Sequence, residues 1–183
     1  MALNATIFKA AVQISDIDRG YYNAHNLTIA RHPSETDERL MVRLLAFCLH
    51  ANEQLSFGKG LSTDDEPDLW EKDLTGAIVS WIDVGLPDEK RIRKASGRAN
   101  DVFVYAYGTQ SARLWWEKTG DALERVRNLT VVRLPQAHEL VKLAQRNMQL
   151  TFTIQDRHLW LASHEQSVEI ALETLKSAGE PQR

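Results

Sequence analysis

The stretch that decides the fold is Glu66-Pro67-Asp68-Leu69-Trp70-Glu71-Lys72-Asp73-Leu74-Thr75-Gly76-Ala77-Ile78-Val79-Ser80-Trp81-Ile82-Asp83-Val84-Gly85. It reads as two strands, Asp68–Asp73 and Ala77–Val84, folded back on one another at Thr75-Gly76. With a two-residue loop there, Leu74 faces Ala77, Trp70 faces Trp81 and Asp68 faces Asp83. A three-residue loop sets Asp68 against Ile82 instead. In the first register two carboxylates share a face with Cβ atoms roughly 5 Å apart, where like charges destabilise. Such a pair needs a proton, a divalent cation or a basic side chain between its members. Oxygen ligands at that spacing suit a hard ion, Mg²⁺ or Mn²⁺. The spacing alone is equally compatible with one aspartate capping a loop and the other facing solvent.

On the C-terminal side, Pro87–Gly97 reads as a helix dense in basic residues. Arg91, Lys94 and Arg98 fall on one side of it, and Lys90 and Lys94 are neighbours. Such a helix, a few residues after an acidic strand, can neutralise a phosphate; taken alone it is a solvated face paired with Asp88 and Glu89. On the N-terminal side, Ser34-Glu35-Thr36-Asp37 resembles a capping box. It opens a helix in which Leu40, Met41, Leu44, Leu45 and Cys48 recur at the helical period to about Ala51. Glu38 in its first turn either complements the helix dipole with Glu35 and Asp37 or points toward the sheet as a third oxygen ligand.

Further out, Ala5–Ser15 and Asn26–Arg31 read as opening strands around the bend Asp16–Gly20, an embellishment on the main sheet. Gln54–Phe57 reads as a short strand and Gly58–Pro67 as a loop. Strands follow at Asp101–Tyr107 and Leu129–Leu134, with helices at Arg113–Val126 and Ala137–Asn147. Leu150–Ile154 and His158–Ala162 flank Gln155-Asp156-Arg157 as a hairpin, and a last helix spans Gln166–Ala178. The alternation defines one α/β domain, residues 1–183, with a mixed sheet flanked by helices.

The chain has 183 residues, 43% apolar and 26% charged, as expected of a globular domain. Its 22 basic and 25 acidic residues give a net charge of −3, which argues against polyanion binding by the whole surface and leaves room for a local basic patch. The single cysteine, Cys48, fits a reducing compartment; no signal peptide or membrane span is legible, so the expectation is a cytoplasmic protein with no membrane partner. Gly58-Lys59-Gly60-Leu61-Ser62-Thr63 lacks the spacing of a nucleotide-binding phosphate loop. The six histidines form no zinc-ligand pair, and there is no nucleophile elbow. Trp115, Trp116 and Trp160 read as core.

Glu66-Pro67-Asp68-Leu69-Trp70, Asp73-Leu74-Thr75-Gly76, Trp81-Ile82-Asp83-Val84-Gly85 and Arg91-Ile92-Arg93-Lys94-Ala95 resemble the central motifs of the bacterial YaeQ family. The resemblance extends to the Thr6-Ile7-Phe8-Lys9 opening and the Gln155-Asp156 hairpin. That family is similar in fold to the PD-(D/E)XK nucleases, with a restriction-endonuclease-like core of helix, three strands, helix and strand. The resemblance implies Pro67-Asp68 as the first motif, Asp83 as the acidic residue of the second and Glu38 as the helix carboxylate. Glu38, Asp68 and Asp83 would then hold Mg²⁺ or Mn²⁺. The departure is Gly85, which stands where the motif lysine belongs. Lys94, sharing a side with Arg91 and Arg98, is the first choice for a relocated catalytic group that positions the attacking water or stabilises charge on the phosphate, with Lys90 second. Lys90, Arg91, Lys94 and Arg98 would contact phosphate. The implied function is a metal-dependent nuclease-like protein acting on or binding nucleic acid; the alternative is a nuclease-like fold that binds or regulates without turnover.

Overall fold

The computed structural model describes residues 4–60 and 64–179. The chain runs β1 (Thr6–Asp16), β2 (Tyr21–Arg31), α1 (Asp37–His50), β3 (Leu55–Phe57), β4 (Leu69–Lys72), β5 (Ile78–Val84), α2 (Glu89–Arg98), β6 (Ala99–Tyr107), α3 (Thr109–Leu123) and β7 (Leu129–Leu134). A 3-10 helix (Ala137–Leu143), β8 (Asn147–Gln155), β9 (His158–Ala162), β10 (Ser167–Ala171) and β11 (Glu173–Lys176) follow. The class is mixed α/β. Two mixed sheets form, a five-stranded one ordered β10-β9-β8-β1-β2 and a six-stranded one ordered β11-β7-β6-β5-β4-β3.

The layers follow from the apolar patterns. Helix α1 is buried almost all round, from Leu40 to Cys48, because it lies between the sheets. Its core joins Val12 and Ile29 of the first sheet to Leu69, Ile82 and Tyr105 of the second. On the other face of the second sheet, Trp81, Val102 and Val131 pack against Ile92 and Ala95 of α2 and Leu123 of α3. Strand β5 is therefore buried on both faces, and Trp81 and Ile82 point into different cores.

Three expectations are corrected here. The opening strands are no embellishment: β1 pairs in parallel with β8 from Lys9↔Asn147 to Asp16↔Ile154, a contact between chain ends that no local pattern announces. The expected helix over Gln166–Ala178 is instead β10 and β11. Val168 and Ile170 alternate with exposed neighbours at period two, and the open edges of β9 and β7 supply partners. The helix expected over Ala137–Asn147 is a 3-10 turn, and its last residue begins β8. Part of the expected Gly58–Pro67 loop, residues 61–63, lies outside the described residues.

Buried polar groups tie the layers together. Asp16 binds Arg19 at 2.6 Å, and Arg19 donates to the carbonyls of Ala51 and Cys48, which end α1. Between them in sequence, His50 lies 2.5 Å from the Tyr105 hydroxyl of β6. In the same β1–β2 turn as Arg19, Asp18 accepts the backbone N–H groups of Asp156 and Arg157, both left-handed as a two-residue hairpin turn requires. Among the described residues no helix is long and apolar enough to cross a membrane.

Burial, with the nearby Arg19 charge adding to it, lowers the His50 pKa from 6.5 to about 3. Its folded-state value lies below the unfolded one, so stability is complete above pH 6.5 and lost as pH falls toward 3. At pH 5 the loss from this group is about 2 kcal/mol. His50→Gln, whose amide oxygen accepts the tyrosine hydroxyl without titrating, is expected to flatten the urea-unfolding midpoint between pH 7 and 5.

Candidate functional site

The site lies where β4 begins and β5 and β6 end, the usual place for ligands in open α/β sheets. Its floor is set by the β4–β5 register. Leu69 pairs with Ile82, Trp70 with Trp81 and Glu71 with Ser80, so the expected register holds although the expected turn does not. The loop has three residues. Asp73 N–H donates to Ala77 O, and the Asp73 carboxylate accepts from Thr75 N, Thr75 Oγ and Ala77 N. Gly76, at φ +86°, supplies the left-handed position that closes such a loop. A bulge then restores the pairing: Lys72 faces Ile78 while Glu71 faces Ser80, leaving Val79 unpaired. Two one-residue offsets cancel, and Asp68 and Asp83 reach one cavity of about 350 Å³.

What compensates the carboxylates is arginine, from both sides of the sheet. Arg39 in the first turn of α1 donates Nη2 to Asp68 Oδ1 at 2.6 Å. The other Asp68 oxygen accepts Val84 N–H at 2.8 Å. Arg91 of α2 grips Asp83 with two parallel bonds, both 2.9 Å, and the Trp81 indole N–H donates to Asp83 Oδ2 at 3.1 Å. Behind Arg39 lies a further pair: Glu35 accepts from Arg39 at 3.0 Å and from Arg43 at 2.7 and 2.8 Å, with both Glu35 and Arg43 buried. Three guanidiniums thus balance three carboxylates across α1, the sheet and α2.

Burial raises the Asp68 pKa, with Arg39 pulling it down and Asp83 pushing it up. Burial opposes the Arg39 charge, but Asp68 and Glu35 outweigh it and the pKa rises. Arg91 is raised first by its bond to Asp83. Burial also raises Tyr107, which lines the same cavity.

These residues do not fit a resident divalent ion as they stand. A carboxylate has about four lone-pair sites. Asp83 already accepts three bonds and Asp68 two, from partners that cancel their charge. Glu38 does not join them: it is half-buried on α1, acts electrostatically on Tyr107, and yields the contact with Asp68 to its neighbour Arg39. Among the described residues no three His, Cys, Asp or Glu side chains gather for a metal. Gly85 has φ +104° and donates its N–H to Tyr105 O, so position 85 is one that any L side chain occupies only with strain.

The expected phosphate contacts are engaged internally. Arg91 also donates to the carbonyls of Asp64 and Glu66, Lys94 Nζ lies 2.7 Å from Asp65 Oδ1, and Arg98 donates to Asp65 O. An acidic strap, Asp64–Glu66, therefore lies along one side of α2. Lys90 is exposed. Arg39, Glu35, Arg43 and Tyr107 are site residues that the sequence reading passes over. Their signal is the four-residue spacing of Glu35, Arg39 and Arg43, which puts an arginine inside the apolar run Leu40–Leu45. A larger cavity, about 640 Å³, opens on the outer face of the first sheet, but its lining is mainly amide, hydroxyl and small side chains such as Asn26, Thr28, Gln149 and Ala11.

A family model described as "YaeQ protein" matches residues 1–172, and the chain belongs to that family. "Uncharacterized protein YaeQ" of Salmonella typhi is 45% identical over 174 residues, 94% of this chain and 96% of its own length. The protein of that name from Escherichia coli (strain K12) is 42% identical with the same coverage. The crystal structure of YaeQ protein from Xanthomonas axonopodis pv. citri superposes with a TM-score of 0.92 at 50% identity, covering 94% of this chain and 99% of that one. That of YaeQ protein from Pseudomonas syringae gives 0.90 at 38% identity, covering 94% and 97%.

Removing one partner of a buried ion pair leaves the other uncompensated, so Arg39→Ala is expected to cost on the order of 3 kcal/mol in urea unfolding. Arg113→Ala, which breaks an exposed pair with Glu117, is expected to cost under about 1 kcal/mol in the same measurement.

Proposed function

We propose that this protein is a variant of the PD-(D/E)XK nuclease fold that binds nucleic acid without hydrolysing it. The observation that carries the reading is the compensation of both candidate carboxylates: Asp68 and Asp83 are already paired with Arg39 and Arg91. The order α1, β3, β4, β5, α2, β6 matches the helix, three strands, helix and strand of that superfamily's core. On this reading Asp68 and Asp83 stand for its two acidic motifs. Gly85 removes the lysine that orients water or offsets phosphate charge, and Lys94, its candidate substitute, is paired with Asp65 at the surface. What remains for a ligand on α2 is the exposed Lys90, joined by Lys94 and Arg98 where their contacts with Asp65 give way.

The rival is a Mg²⁺- or Mn²⁺-dependent phosphodiesterase using Glu38, Asp68, Asp83 and Lys94. The favouring observation is that Asp68 and Asp83 open on one cavity. It requires Arg39 or Arg91 to leave its carboxylate, which exposes a buried charge unless another cation replaces it.

Both readings are tested with the purified full chain and fluorescein-labelled single- and double-stranded DNA and RNA. The expected result is binding whose Kd rises steeply with salt, and no product in Mg²⁺ or Mn²⁺ above an Asp83→Ala control. Asp65→Asn, which frees Lys94 from its carboxylate, is expected to tighten binding several-fold. Cleavage in Mn²⁺ that disappears in Asp83→Ala would establish the phosphodiesterase instead. Absence of salt-sensitive binding to all four probes would rule out a nucleic-acid partner.

A further inference from the structure

The turn between α3 and β7 places Arg125-Val126-Arg127-Asn128 against α2, beyond the acidic strap. Between them is a further cavity, about 330 Å³, lined by Arg93, Ser96, Arg125, Val126, Arg127 and Asn128. Its lining carries three guanidiniums and no carboxylate. Arg93 donates to Glu89 at 2.7 Å and to Ala122 O at 2.8 Å. The side chains of Arg125 and Arg127 make no hydrogen bond or ion pair among the described residues, unlike Arg39, Arg43 and Arg91.

The frame that carries them is rigid. Asn128 Nδ2 donates to the carbonyls of Ser96, Ala99 and Asn100, each at 3.1 Å, and its Oδ1 accepts the Ser96 hydroxyl at 2.6 Å. The carbonyls of Val126, Arg127 and Asn128 accept from Lys176 Nζ, Gly179 N and Val102 N. Val126 is buried in the core beneath. Only the two arginine side chains remain to be ordered, which keeps the cost of gathering them around a ligand small.

We infer that this cavity is an anion subsite that takes the phosphate group of a phosphate ester. A guanidinium presents a planar fork that matches phosphate oxygens, and a single exposed pair is worth little, so convergence of several forks on one cavity is what makes a site. The surroundings reinforce it. Residues 90–98 and 125–127 hold seven of the chain's 22 basic side chains and no carboxylate, in a protein of net charge −3. Where the strap already meets Arg91, Lys94 and Arg98, this end of α2 is left open to an outside anion. The inference extends the nucleic-acid reading to a second backbone contact, but it stands on its own residues and applies equally to a small phosphate ester.

The test uses the full chain and two probes. Inorganic pyrophosphate is titrated while the arginine Nε–Hε signals are followed by NMR. Saturable shifts of the Arg93, Arg125 and Arg127 signals are expected, and the Arg93 shift, which every variant can report, is expected to be abolished in R125A/R127A, diminished in R125K/R127K and retained in R113A. The labelled oligonucleotide is then titrated against the same variants. In R125A/R127A, Kd is expected to rise about tenfold, and the slope of log K against log salt to fall by about 1.5. Both arginines are exposed, so unchanged unfolding midpoints are expected and separate loss of binding from loss of fold. Arginine signals that pyrophosphate does not move would overturn the subsite, whatever the oligonucleotide does. Pyrophosphate shifts with no oligonucleotide bound by the unmodified chain would keep the subsite for small esters and reject the nucleic-acid reading. Oligonucleotide binding undiminished in R125A/R127A would keep that reading and reject this contact.

Discussion

Two carboxylates placed at neighbouring strand ends and cut off from water set the terms for everything around them. Asp68 and Asp83 repel one another, and each pays a solvation penalty that only a nearby cation offsets. The fold answers with guanidiniums brought in from opposite faces of one sheet. Arg39 comes from α1, on the side of the large core, and Arg91 from α2, on the side of the smaller one. Since Arg39 is shared with Glu35, and Glu35 with Arg43, the balance continues into the buried start of α1. Such pairs add little net stability, yet they are costly to half-remove, so they fix where the two helices sit on the sheet.

The second sheet carries the site, and the first sheet holds α1 in place against it. Arg19 caps the end of α1 from the β1–β2 turn, and His50 joins that end to β6 through Tyr105. With its start bound to Asp68 and its end bound to Tyr105, α1 is held at both ends to the strands whose tips form the cavity. The chemistry is thus mounted on strands and packed helices rather than on loops, which keeps the side chains ordered.

Basic residues on α2 divide into two groups by what faces them. Arg91, Lys94 and Arg98 meet the Asp64–Glu66 strap and the Asp83 carboxylate. Arg93, with Arg125 and Arg127, borders a cavity without acidic lining. The helix stands between an internally satisfied site and an open one.

The pairing of Trp70 with Trp81, the basic face after Gly85 and the apolar period of α1 were all legible in the chain, because each depends on neighbours a few residues apart. Gln166–Ala178 fits either period, since Val168 and Ile170 alternate while Leu172 and Leu175 fit a helical stripe; the free edges of β9 and β7 chose between them. The turn is one residue longer than the two-residue loop expected, and the register survives because the bulge at Val79 cancels the extra loop residue. Sequence by itself determined the family and the mixed α/β class. Tertiary structure alone decided the counter-ions of Asp68 and Asp83, since Arg39 lies 29 residues from Asp68 and only the packing of α1 between two sheets brings its charge to that carboxylate.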